Sequence, residues 1–263
     1  MRMWSTVFVA LFLGALWMAS PAIAQDNVPS PDLSAVCNDA VTGMVALTAD
    51  LEWPDHLMQE DAVKTADDFD VNTYFTVLDH LAVKDGYFLD YVYQYDFMGG
   101  YPVLYTLPDD QPPFQTFADY RASIPSSQRT LPSYLDHIVI DDTPGGYLQM
   151  VVLDVMGAQF YLHWHAGYND FRVICDDDML ATLLGSDTGF GSPIPDDVQQ
   201  QARLLDVTPS VKLDEDAAHV EFTGFTKWGG FYRVTVAIDR SYPREIYDGS
   251  SENMVEYDCG VMF

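Results

Sequence analysis

Apolar residues recur at helical spacing in four stretches of the chain. In residues 33–51 they lie three or four positions apart, which is typical of a helix with one buried face. Residues 72–85 show the same spacing and end at an Asp-Gly pair, a common helix stop. Two shorter helices are predicted to begin at residues 176–178 and 195–197, because acidic side chains are stabilising in the first turn of a helix.

Between these helices, three pairs of stretches alternate apolar and polar residues, and each pair flanks a glycine. A glycine there supplies the positive φ that a tight hairpin turn requires, so each pair is predicted to be a β-hairpin. The predicted hairpin strands are residues 87–95 with 101–107, residues 147–155 with 158–165, and residues 218–226 with 231–239. Further strands are predicted at residues 134–141, 171–175, 242–247 and 253–258.

Successive hairpins with helices between them indicate an α+β fold. The expected architecture is an antiparallel sheet built from several hairpins, with helices packed mainly on one side. We find no Pro/Gly/Ser-rich linker or charge block in the sequence, so residues 32–263 are predicted to form a single domain.

The N-terminus has the parts of a cleavable signal peptide. A positive charge at Arg2 precedes an apolar run over residues 7–17, and residues 22–24 give the small-x-small pattern that a signal peptidase recognises. Residues 1–24 are therefore predicted to be removed, which leaves residues 25–31 as a flexible leader. A membrane anchor is the alternative, but Ser-Pro interrupts the run before it reaches the roughly 18 apolar residues of a span. The protein is thus expected in the periplasm or outside the cell, and the absence of glycosylation sequons favours a bacterial origin.

The expected mature chain is strongly acidic. Loss of Arg2 leaves 11 basic against 40 acidic residues, a net charge of −29. Such a field repels nucleic acid and anionic membrane surfaces, so neither is an expected partner. Cationic, carbohydrate or protein partners remain open. The aspartates themselves have two explanations, turn and helix-start chemistry or a saline habitat.

Three cysteines are present, and an oxidising compartment favours one disulfide with one thiol left over. Cys175 ends an apolar run and Cys259 lies close to the C-terminus, whereas Cys37 falls on the apolar stripe of the first helix. A Cys175–Cys259 disulfide with a buried Cys37 thiol is predicted, although three pairings are possible.

Two histidines form the first candidate site. In a predicted strand, His163 and His165 would lie on one face about 7 Å apart, which two ligands of one zinc ion can span. A third ligand would come from Asp154, or from His137 or His219. Packed, hydrogen-bonded histidines are the structural alternative.

A calcium loop is the second candidate. Asp68, Asp70 and Asn72 have the spacing that opens such a loop, and Asp79 falls at the twelfth position. The sixth position, however, is Thr73 where a sharp turn demands glycine. Helix capping by Asp70 and Asn72 is the competing interpretation.

A tyrosine ladder is the third candidate. Tyr91, Tyr93 and Tyr95 alternate onto one face of a predicted strand. If exposed, they would form a stacking platform for sugars or an anchor for a protein partner. If buried, they would be the underside of a helix-covered sheet.

No motif in the sequence is specific for one chemistry. The chain has no nucleophile elbow, phosphate-binding loop or dinucleotide motif. The favoured hypothesis is a secreted, non-enzymatic ligand- or protein-binding module that needs no cofactor. The alternative is a secreted metal-dependent hydrolase centred on His163 and His165.

Overall fold

A computed structural model describes residues 32–96, 98–186 and 193–261. The predicted signal peptide, residues 1–24, and leader, residues 25–31, lie outside these residues and stay predictions. The described residues belong to one compact unit. Within them, no helix has the length and apolar character needed to cross a membrane.

The strands pair antiparallel throughout and divide among three sheets instead of one. Strands β2, β3 and β5 form one sheet in that order, and β1 pairs with β4. The largest sheet has the order β10-β9-β8-β6, with β7 also paired to β8. The strands are β1 Leu81–Val83, β2 Tyr87–Asp96, β3 Gly99–Pro108, β4 Ile138–Ile140, β5 His163–Trp164, β6 Arg172–Ile174, β7 Ser210–Leu213, β8 Ala217–Thr226, β9 Gly230–Asp239 and β10 Ile246–Glu256.

Helices cover these sheets, which confirms the α+β class with antiparallel sheets. The central helix α3 packs against α1 and against strands β6, β7 and β8, and α2 packs against β2. The α-helices are α1 Leu33–Thr48, α2 Phe117–Ser123, α3 Pro144–Met156, α4 Asp177–Gly185 and α5 Asp196–Ala202. Short 3₁₀ helices lie at Asp55–Leu57, Val71–Thr76, Tyr134–His137 and His165–Tyr168.

The hairpin predicted at residues 147–155 and 158–165 is wrong, because its first arm lies in helix α3. Thr143 caps this helix by accepting a hydrogen bond from the Gly146 amide (3.1 Å), and Pro144 occupies the first turn. Ten of the 13 residues of α3 are buried. A helix buried on every side has no polar face, so its sequence lacks the helical periodicity that would identify it.

The helix predicted at residues 72–85 is only partly present. The chain makes a 3₁₀ helix at Val71–Thr76 and then the strand β1, whose pairing with β4 overrides the local helical spacing. Asp70 caps the 3₁₀ helix, since its Oδ1 accepts from the amide of Asn72 (2.9 Å). The Asn72 side chain in turn donates to Asp70 Oδ1 and to the Leu89 carbonyl. These contacts match the capping interpretation of Asp70 and Asn72.

The disulfide joins Cys37 to Cys175, so the predicted Cys175–Cys259 pair is wrong. The two Cα atoms lie 5.5 Å apart, because α1 packs where the chain leaves β6. Cys37 and Cys175 belong to the main core, whereas Cys259 is a buried free thiol in a separate core cluster. A disulfide of this kind is typical of an oxidising compartment.

An ion pair ties the start of α3 to the end of β9, and it predicts a pH effect. The Arg240 guanidinium donates to both Asp142 carboxylate oxygens (3.1 and 2.8 Å), and this lowers the pKa of Asp142 to about 2. A carboxyl whose pKa is lowered by folding stabilises the protein above its unfolded pKa, and that contribution disappears as the pH falls towards 2. Because the Asp142 side chain is 42% exposed, the ion pair contributes less than about 1 kcal/mol to the free energy of unfolding.

Asp142→Asn should remove this pH-dependent contribution. Asp142 has φ 57°, a conformation that asparagine also adopts readily, so the backbone is retained. Urea unfolding gives the free energy of unfolding at about pH 5 and at about pH 2.5. The decrease in that free energy between the two pH values should be smaller in the variant than in the wild type. Equal losses in the two proteins would contradict the role given to this ion pair.

Candidate functional site

The tyrosine ladder is largely buried. Tyr91 and Tyr93 are 0% and 1% exposed, and Tyr95 is half-buried. The Tyr93 hydroxyl donates to the Tyr161 carbonyl (2.5 Å), and the Lys64 ammonium lies over the Tyr91 ring. Aromatic residues on this strand face therefore fill the core, and the predicted ligand-binding surface at Tyr91, Tyr93 and Tyr95 is wrong.

The structure does not assemble the predicted metal site. His163 lies in β5, His165 begins a 3₁₀ helix and Asp154 lies in α3. Among the described residues, no group of three or more His, Cys, Asp or Glu side chains is arranged to hold a metal ion. His163 instead stacks on Trp53, with ring centroids 3.9 Å apart, and burial lowers its pKa. It is thus a packed histidine.

The residue between the two histidines explains why the strand interpretation fails. Trp164 has φ 49° and ψ −119°, a conformation that normally requires glycine. Extended backbone therefore ends at Trp164, and the alternation of side chains does not continue to His165. Such a conformation costs on the order of 1–3 kcal/mol, and strained residues of this kind concentrate at functional sites.

Trp164 is the first ring of a line of four aromatic side chains, which we call the aromatic strip. Its members are Trp164, His165, Tyr168 and Trp228. Centroid distances along the strip are 5.1 Å from Trp164 to His165, 6.0 Å from His165 to Tyr168 and 4.5 Å from Tyr168 to Trp228. Trp164 is 52% exposed and Tyr168 42% exposed, although large aromatic side chains are favoured in cores. His165 and Trp228 are half-buried. A continuous patch of aromatic groups that is partly open to solvent is typical of an interaction site.

Three elements carry the strip, and specific contacts hold them together. Asp170, just after the 3₁₀ helix His165–Tyr168, fixes this segment to the β8–β9 turn. Its carboxylate accepts hydrogen bonds from the Thr226 hydroxyl (2.5 Å) and the Lys227 amide (3.1 Å). Strand β5 is fixed to β3 by the pairing of Gly99 with Trp164. A Cβ at Gly99 would lie 2.5 Å from the His163 carbonyl oxygen, so this close pairing requires glycine. The strip is therefore set on a fixed scaffold.

Exposed carboxylates lie at both ends of the aromatic strip. At one end, a cavity of about 400 Å³ is lined by Trp228, Asn253, Glu256 and Asp258. At the other end, Asp96 is exposed and pairs with Gly99, the strand partner of Trp164. The strip thus joins aromatic surface to negative charge.

Sequence reasoning missed three of the four members of the strip. In the sequence, Trp164 is the spacer between two candidate ligands and Trp228 lies in a predicted hairpin turn. One signal was available: Trp228 precedes two glycines in a predicted hairpin turn, and turns lie at the surface of a fold. Tyr168 had no comparable signal.

No protein-family model, curated protein or solved structure matches this chain. The function is therefore inferred from its own residues.

Proposed function

We propose that this protein is an extracytoplasmic, non-enzymatic binding module that holds an arginine-rich protein segment against the aromatic strip. The observation that carries the proposal is Trp164, a half-exposed ring on strained backbone at the end of a line of aromatic rings in contact. Tryptophan, tyrosine and arginine are the residues that contribute most at protein interfaces. The Cys37–Cys175 disulfide supports the location.

A protein segment fits the strip better than a sugar does. Trp164 stacks on His165 with an interplanar angle of 28°, and His165 stacks on Tyr168 at 21°. Stacked rings cover one another's faces, whereas a sugar platform needs ring faces open to solvent. Trp164 ends the line and its ring is half exposed, so a guanidinium group can stack on its exposed surface.

The negative charge around the aromatic strip favours arginine as the residue that the partner presents. The expected mature chain carries −29, and Asp96, Glu256 and Asp258 place carboxylates beside the strip. Arginine combines a planar cation that stacks on aromatic rings with a fork that pairs bidentately with carboxylates. Lysine provides only a point charge. An arginine-rich segment therefore complements both the rings and their acidic ends.

The test compares two cationic peptides of equal charge. Octa-arginine should bind about tenfold more tightly than octa-lysine at physiological salt, because only arginine gains from stacking on Trp164. Fluorescence anisotropy of labelled peptides measures both affinities. Quenching of tryptophan emission on titration with unlabelled octa-arginine reports contact with the strip. Equal affinities for the two peptides would show that net charge alone drives binding and would overturn the proposal.

Two controls make this result specific. Tyr247 is 59% exposed on β10, at the opposite end of the β9–β10 hairpin from Trp228, so Tyr247→Ala should bind octa-arginine as the wild type does. Cellohexaose, a neutral sugar chain, should leave tryptophan emission unchanged. Saturable cellohexaose binding that depends on Trp164 would instead identify a carbohydrate module.

A further inference from the structure

An apolar cleft of about 330 Å³ opens between α1, β6 and α4, and it shares no residue with the aromatic strip. Its volume lies at the lower end of the range for small-molecule sites, which are usually mostly apolar with a few placed polar groups. The lining residues are Val41, Thr42, Val45, Ala46, Met156, Arg172, Val173, Ile174, Met179, Thr182, Leu183 and Ser186.

The walls of the cleft are fixed at one end. Cys37, one turn before Val41 on α1, forms the disulfide with Cys175, which directly follows β6. Next to it, the Asn38 side chain donates to the carboxylate of Asp176, the N-cap of α4 (2.6 Å). All three walls are thus joined to one another. A cleft held open in this way avoids much of the ordering cost of binding.

One charged side chain lines the cleft, and it is a cation. Arg172 is exposed, and its guanidinium forms no hydrogen bond or ion pair with any described residue. The three hydroxyl groups of the lining already donate to helix carbonyls, those of Thr42 to Asn38, Thr182 to Asp178 and Ser186 to Leu183. The guanidinium N–H groups are therefore the uncommitted side-chain donors among the lining residues that the structure describes.

We infer that this cleft binds a single-chain aliphatic carboxylate, with the chain along the apolar walls and the carboxylate on Arg172. Apolar walls favour a hydrocarbon chain, and a guanidinium pairs with a carboxylate through two parallel hydrogen bonds. The methionines Met156 and Met179 add side chains that adapt to the shape of a chain. The negative charge of the protein as a whole repels a carboxylate on Arg172 only weakly, because exposed charges are screened beyond about 8 Å at physiological salt.

Calorimetric titration with octanoate, decanoate and decanol, each below its aggregation concentration, tests the inference. Decanoate should bind once per chain and about 15-fold more tightly than octanoate, since each buried methylene adds about fourfold in affinity. Arg172→Gln should weaken decanoate binding at least tenfold and leave decanol binding unchanged. An equal loss for both ligands, or no loss for either, would overturn the role of Arg172.

A blocking variant tests the cleft separately from its cation. Ala46 is exposed on α1 and lines the cleft, so Ala46→Trp should fill it and abolish binding of both decanoate and decanol. Ala35→Trp places the same substitution on the first turn of α1, outside the lining, and should bind both ligands as the wild type does. Decanoate binding that survives in Ala46→Trp, or no saturable decanoate binding in the wild type, would refute the site. Neither result bears on octa-arginine binding at the strip.

Discussion

Trp164→Gly is expected to abolish the arginine preference while leaving the unfolding free energy within about 1 kcal/mol of the wild type. Truncating a buried tryptophan usually costs about 3–5 kcal/mol. Trp164 is half exposed, and its φ of 49° is a conformation that glycine adopts without strain. Relief of that strain offsets both the lost packing and the extra chain entropy of glycine. Binding should suffer because the terminal ring of the aromatic strip is gone.

A matched variant separates strain from packing. Trp164→Ala removes the same ring but keeps a Cβ at the positive φ, so it should be about 1 kcal/mol less stable than Trp164→Gly. Urea unfolding gives the two free energies, and anisotropy with octa-arginine and octa-lysine gives the binding of each variant. A glycine variant less stable than the alanine variant would mean that position 164 carries no strain. Retained preference for octa-arginine would remove Trp164 from the binding surface.

Two of the three predicted hairpins are confirmed. Their sequence signals lie within the strands and turns themselves and do not depend on distant parts of the chain. Strands β2 and β3 pair from Tyr87–Pro108 to Asp96–Gly99, and β8 and β9 pair from Ala217–Asp239 to Thr226–Gly230. Alternation along each arm and a glycine at each turn were sufficient signals, and Gly99 and Gly230 do have positive φ. The sequence around residues 147–155 misled because burial on all sides makes a helix and a core strand equally apolar. The Thr143-Pro144 start signal was the feature that distinguished them.

The candidate site could not be predicted because it depends on tertiary placement. The strip combines residues 164–168 with a turn at Trp228, about 60 positions further along the chain. The pairing of β6 with β8 and the contact of Asp170 with Thr226 and Lys227 bring these segments together. Nor does residue type reveal a positive φ at a tryptophan, since that conformation is imposed by surrounding structure. Tyr91 and Tyr93 of β2, by contrast, have the composition of a binding surface and lie in the core.

The two proposed sites differ in what holds them. The strip relies on strand pairing and on hydrogen bonds from a β-turn, while the cleft relies on a covalent link between α1 and the end of β6. Reduction should therefore affect the cleft and the core around it more than the strip. Among the single interactions considered, the disulfide is expected to contribute most to stability.

Replacing both Cys37 and Cys175 with alanine is expected to cause the largest loss of stability of any change considered. The disulfide closes a loop with a sequence separation of 138 residues, and the chain-entropy model assigns up to about 5 kcal/mol to a loop of that length. Both sulfurs also lie in the main core, where their removal leaves a small void. Urea unfolding of the wild type with and without dithiothreitol should reproduce most of this loss, and the double variant should not respond to the reductant.

Cys259→Ala is the matched control for the pairing itself. Cys259 is a buried free thiol in the second core cluster, so its replacement should cost only about 1 kcal/mol and leave the response to dithiothreitol intact. Alkylation of the unfolded, unreduced wild type should modify Cys259 and spare the other two cysteines, as peptide mass analysis would show. If Cys259→Ala were the variant that lost its response to dithiothreitol, Cys259 would be in the disulfide. In that case α1 would not be linked to β6, and the cleft would lose the contact that holds it open.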